Sequence, residues 1–168
     1  MSEFDGEGNR EARPGFLTVL SVLSFISLGG GLVSTLISFV SGRQSDEEML
    51  DSKVTFVKSI SDLKDLGMDS FVEVMEQLQR MTDQVNENFY LALFITFITS
   101  VVGLFGVVKM WQGFKFGFHM YIGYCLLTIA GLYVYVSPAN IPTVVVVWNL
   151  LLSALFIFLY SRNLKWMR

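Results

Sequence analysis

The feature that most constrains this chain is the run from Phe16 to Ser41, which carries no charged side chain. At 1.5 Å per residue, ~20 apolar helical residues cross a hydrocarbon core of ~30 Å. Three more windows, 89–108, 116–136 and 142–161, are equally free of Asp, Glu, Lys and Arg. Hydrophobic residues make up 52% of the 168 and charged residues only 16%, with the charges kept out of all four windows. Four wholly buried core helices would need more partner surface than so short a chain supplies. The expected fold is an all-α membrane protein with four transmembrane helices.

The first span carries a second pattern inside the first. Ser24, Ser27, Gly31, Ser34, Ser38 and Ser41 recur at alternating steps of three and four. On a helix that spacing lines one face, and small residues let another backbone come close where lipid gives no hydrophobic incentive. Thr96, Thr99, Gly103 and Gly106 repeat the spacing in the second span. The two strips are expected to mate, or to dock a partner. Gly29-Gly30-Gly31 adds either a hinge or a close contact, and packing is the reading adopted here. Asn149, with Ser153 one turn on, is the most polar side chain of the fourth span. It is expected to hydrogen-bond across to a neighbouring helix, a ligand contact being the alternative.

Residues 42–88 are the one sizeable polar segment. Five cations stand there against eleven acids, from Asp46 to Glu87, giving a net charge of −6. Ser45-x-x-Glu48 and Ser70-x-x-Glu73 both have capping-box spacing. Leu50, Val54, Val57 and Ile60 would form one apolar face, and Gly67 a left-handed stop. Phe71, Val74, Leu78, Met81 and Val85 follow the 3-4-3-4 spacing of a helix seam. A helical hairpin follows, its seam serving internal packing or a partner. No Pro or Gly occurs from Met68 to Val102, so the second hairpin helix is expected to run unbroken from about 70 to 108, ~60 Å.

The segments are therefore a disordered cytoplasmic tail at 1–15, a span at 16–41, the acidic hairpin at 42–88, three spans within 89–161, and a basic cytoplasmic tail at 162–168. The first span makes a poor cleavable signal: it is too long, follows a partly acidic tail and precedes no A-x-A site. Arg10, Arg13, Lys109, Lys115, Arg162, Lys165 and Arg168 flank the spans on one side, while 137–141 opposite has no cation. The positive-inside rule then puts both termini in the cytoplasm and the hairpin outside. Pro14 and Pro142 are expected at helix starts, with Asn140 as a cap, and Tyr160 and Trp166 in the interface.

Catalytic chemistry finds no support. No charged residue lies deep in a span, which argues against proton-coupled transport. His119 is the one histidine, without the partners a metal or catalytic role needs. Cys125 has no second cysteine to pair with. Hydroxyls are plentiful but no base accompanies them, and no Walker, zinc or G-x-S-x-G spacing occurs. No catalytic residue, cofactor, metal or nucleic-acid contact is expected.

Arg13-Pro14-Gly15-Phe16-Leu17-Thr18-Val19-Leu20, with Gly113-Phe114-Lys115 and Gly117-Phe118-His119-Met120-Tyr121, resembles small, uncharacterised four-span proteins of bacterial inner membranes. The similarity covers the spans and not the hairpin. It implies a bacterial envelope setting and no catalysis. Claudin-like proteins also have a large first loop, but the paired loop cysteines expected there are missing. The expected role is a non-enzymatic accessory or scaffolding subunit that contacts lipid and other membrane proteins or copies of itself. The alternative is a small oligomeric channel or transporter with a Ser/Thr/Asn-lined pathway.

Overall fold

The computed structural model describes residues 13–168. The tail expected over 1–15 falls, for 1–12, outside the described residues. Six α-helices follow in order: α1 Gly15–Ser41, α2 Asp46–Asp65, α3 Asp69–Glu87, α4 Phe89–Trp111, α5 Lys115–Tyr135 and α6 Thr143–Ser161. A 3₁₀ turn at Pro138–Asn140 joins α5 to α6. The described residues form no strand. α1, α4, α5 and α6 are long and apolar enough to cross a membrane.

Local chemistry sets most boundaries. Pro14 stands just before α1, and its carbonyl accepts the Thr18 N–H at 3.2 Å. Gly42 ends α1 at φ +80°. Ser45 and Glu48 form the capping box in full: the Glu48 N–H donates to Ser45 Oγ at 3.3 Å, and the Ser45 N–H to Glu48 Oε2 at 2.8 Å. The Ser45 N–H, with help from its hydroxyl, holds the Glu48 carboxyl below its usual range. Gly67 closes α2 at φ +71°, and the Met68 N–H reaches back to the Leu63 carbonyl at 3.0 Å.

Three boundaries differ from expectation. α3 begins at Asp69 behind Met68, which gives no side-chain cap, so the Ser70–Glu73 box is already inside the helix. Asn140 closes the 3₁₀ turn, and α6 starts after Pro142, at Thr143. The long helix is interrupted for one residue at Asn88 (φ −99°, ψ 28°), although the Ala92 N–H still bonds the Asn88 carbonyl at 2.9 Å. The Asn88 side chain bridges the joint, and its Nδ2 donates to the Gln84 carbonyl of α3 at 3.2 Å. The same Nδ2 donates to the Tyr135 carbonyl at 3.0 Å, tying the joint to the end of α5.

α4 is the hub, packing chiefly on α5 and next on α1, while α6 rests more lightly on α5 and α1. The α4–α5 contact is made by backbone. A Cβ on Gly117 would lie 2.5 Å from both the Gly106 carbonyl oxygen and the Met110 nitrogen. One on Gly103 would lie 2.8 Å from the Tyr124 ring. The small strip of α4 thus mates with α5, and from α1 Leu28 would stand 3.2 Å from a Cβ on Gly103.

Gly117→Ala is therefore expected to destabilise the fold by ~1–3 kcal/mol, outweighing the ~1 kcal/mol by which helix propensity favours alanine. Gly123→Ala, whose Cβ would meet nothing within 4 Å, should be neutral or stabilising. Thermal unfolding of the two variants in detergent checks the contrast.

Candidate functional site

The core gathers at the end where the start of α1, the C-terminal segment and the α4–α5 turn meet. Leu17, Leu20, Leu28, Val107, Met110, Phe118, Tyr121, Cys125, Tyr160 and Met167 form one buried cluster there. Tyr160 is no interfacial anchor: it is fully buried, and its hydroxyl donates to Ser24 Oγ at 2.9 Å. Its ring meets Tyr121 edge-on at 5.0 Å. Ser21 Oγ, one turn from Ser24, is buried without a hydrogen-bond partner.

The basic tail folds back onto this cluster. The Lys115 N–H donates to the Arg168 carbonyl at 2.8 Å, and the Arg168 N–H to the Gly113 carbonyl at 2.7 Å. Gly113 adopts φ +87°, and its missing Cβ makes room for the Trp166 ring. The Arg13 guanidinium stacks on Trp111 at 3.8 Å, and Lys109 approaches Phe105 and Phe114. His119 is exposed, with Nδ1 3.1 Å from the Lys115 carbonyl. Among the described residues, no three His, Cys, Asp or Glu side chains could share a metal.

At the opposite end amides join the polar helices to the apolar ones. Asn86 Oδ1 accepts the Gln44 N–H at 3.0 Å, and the Ser137 N–H donates to Gln84 Oε1 at 2.8 Å. Lys53 pairs with Asp83 at 3.1 Å, holding α2 along α3. Sequence periodicity missed Asn86 and Gln84, because long-range amide contacts leave no periodic trace.

The structure divides the predicted site residues. Ser24, Thr99, Gly103 and Gly106 are buried between helices. Ser27, Gly31 and Ser34 are exposed, Ser38 is half-buried, and a Cβ on Gly29, Gly30 or Gly31 would meet nothing within 4 Å. α1 instead packs through Leu17, Leu20, Ser21, Ser24, Leu28 and Thr35. Of the predicted strip only Ser24 is buried in that contact, so the expected pairing of the two small strips does not form along its length. Thr96 is exposed. Asn149 donates to the Val145 carbonyl of its own helix at 2.8 Å and not to a neighbouring helix.

The hairpin residues divide as well. Val74, Leu78, Met81 and Val85 are half-buried, but Phe71 is exposed and Val72 is the buried residue of that turn. On α2 only Ile60 of the expected apolar face is buried. Leu50, Val54 and Val57 stand about 60% exposed, at 62%, 62% and 60%. Met49, Lys53 and Phe56 face α3 in their place, across a crevice shared with Gln79, Thr82 and Asp83. The Lys53–Asp83 pair and the Asn86 amide, which also reaches Met49 Sδ, fix that rotation of the helix.

Concavities flank α4 on two sides. An apolar groove of about 340 Å³ runs between α1 and α4, lined by Thr35, Phe39, Tyr90, Leu93, Phe94 and Phe97. A smaller cleft of about 150 Å³ lies between α4 and α5.

Tyr160→Phe, which removes the bond to Ser24, should cost ~0.5–1.5 kcal/mol, as one net hydrogen bond does. Adding Ser24→Ala should add little, because the partner is already gone. A double-mutant cycle of melting temperatures checks this, and full additivity of the two changes would deny the bond.

No known protein-family model, curated protein or solved structure matches the chain.

Proposed function

We propose that the protein is a four-span membrane protein that serves as a non-enzymatic accessory or scaffolding subunit, docking on a partner through α2 and the small-residue face of α1. The stripe Leu50, Val54 and Val57 carries this reading. It stands about 60% exposed on a helix of the polar segment, with Glu47 and Asp51 beside it. Lipid covers apolar side chains within a span, but nothing of that kind covers a stripe outside one. Contiguous apolar surface in water marks an interaction site more often than an accident of folding. The net charge of −6 around it suits a partner with a basic rim.

The exposed face of α1 supports the same reading. Three successive glycines weaken a helix, by ~1 kcal/mol each relative to alanine, and among the described residues no contact accounts for Gly29, Gly30 or Gly31. A partner helix at close range would. In this account the four spans lie in a bacterial inner membrane, with the basic end and both termini in the cytoplasm and the α2–α3 hairpin outside. Six cations, Arg13, Lys109, Lys115, Arg162, Lys165 and Arg168, gather at the basic end. The rival reading, an oligomeric channel, gains no specific observation. The hydroxyl-lined cleft between α4 and α5 is small, about 150 Å³.

Val54→Glu and Gly31→Leu should each leave the yield and melting of the purified monomer unchanged and remove a partner, or a second copy, from complexes extracted in mild detergent. Size-exclusion chromatography with mass identification reads both outcomes. A loss of folded monomer in Gly31→Leu would return the strip to internal packing, and unchanged complexes in both variants would refute the docking role.

A further inference from the structure

The α4–α5 cleft differs from the rest of the apolar bundle in the chemistry of its walls. Thr96, Thr99, Ser100, Tyr124, Thr128 and Tyr135, six hydroxyl-bearing residues, line one space of about 150 Å³. Ile95, Leu127 and Gly131 complete the lining, and no charged side chain takes part. In a membrane span a serine or threonine ordinarily satisfies itself on the carbonyl one turn back. Thr35 and Thr128 do so, donating to Gly31 and Tyr124 at 2.9 Å each. Thr99 and Ser100 are buried, and neither side chain makes such a bond. Both residues line the cleft.

Polar groups at hydrocarbon depth are costly unless something bonds them. From these observations we infer that the cleft is a binding site for a neutral polyhydroxyl group of about the size of a glycerol unit. Each feature of the lining selects for that chemistry. The absence of charge gives an anion or cation no counter-ion to repay its lost hydration. Hydroxyls both donate and accept, so they suit a partner that does the same. The apolar wall matches the C–H faces of a polyol. At ~30 Å³ per water molecule the cleft has room for about five waters, or one small polyol in their place.

Geometry indicates the route in. Thr96 and Leu127 are exposed at the rim, so the cleft opens sideways between the helices. Its other end rises to Tyr135, whose carbonyl is held by Asn88 at the foot of the polar helices. A glycerol unit could therefore arrive on a lipid, as the head of a monoacylglycerol, or free from the water. The shared chemistry is the polyol, and the experiment separates the two sources.

The full chain is placed in phosphatidylcholine nanodiscs doped with a monoacylglycerol, with or without free glycerol in the buffer, and native mass spectrometry counts what each protein retains. A bound monoacylglycerol that survives excess glycerol identifies the lipid as the source. Displacement by glycerol, or retention of glycerol alone, identifies the free polyol. Thr99→Val combined with Ser100→Ala should weaken retention about tenfold, the equivalent of one net hydrogen bond, with an unchanged melting temperature. Thr96→Val at the rim is the second variant should the double substitution unfold. Retention of neither probe by the unsubstituted chain would overturn the site, as would equal retention by folded variants.

Discussion

The close approach of α4 to α5 at Gly106 and Gly117 is the interaction on which the rest of the structure depends. Backbone lies against backbone there, and a single methyl group on either glycine would meet it at about 3 Å or less. Helices that pack in lipid gain little from hiding apolar surface, so close van der Waals contact has to supply the association. The tight turn at Gly113 follows, since the two helices are already adjacent when α4 ends. That turn presents backbone groups to Arg168. The C-terminal segment can then fold across the end of the bundle, where Met167 is buried and Tyr160 meets Ser24.

Packing is therefore graded along the molecule. At the basic end all four apolar helices contribute to one cluster. Towards the polar helices α1 keeps α4 as its neighbour, and α6 has no buried residue before Tyr160. Hydrogen-bonded amides take over at that end: Gln44, Gln84, Asn86 and Asn88 link the polar helices to each other and to the α5–α6 connection. Such bonds fix direction without covering much surface. The face of α1 bearing Ser27, Gly31 and Ser34, and the stripe on α2, are what this arrangement leaves uncovered.

Helix identity was largely legible from the sequence because it depends on local signals. The four charge-free windows, the Ser45–Glu48 box and the glycine at 67 each act within a few residues, and the structure has them where those signals stand. Helix rotation was legible only in part. Spacing shows that Ser24, Gly31 and Ser38 share a face, but not whether a neighbour covers it. Leu50, Val54 and Val57 show the same limit, because one salt bridge and one buried amide turn α2 towards α3 by another face. Hydroxyl pairing was not legible at all. Tyr160 finds Ser24 across the fold, and no local pattern announces a partner so distant in the chain.

The central claim is that the uncovered face of α1 belongs to a protein partner and not to lipid. Site-specific photo-crosslinking in native membranes tests it most directly, with the photoreactive residue placed in turn at Ser34 and at Val22, which is also exposed but lies off the small-residue face. The account predicts a discrete protein adduct from Ser34 and lipid adducts alone from Val22. Lipid adducts alone from both positions would contradict it.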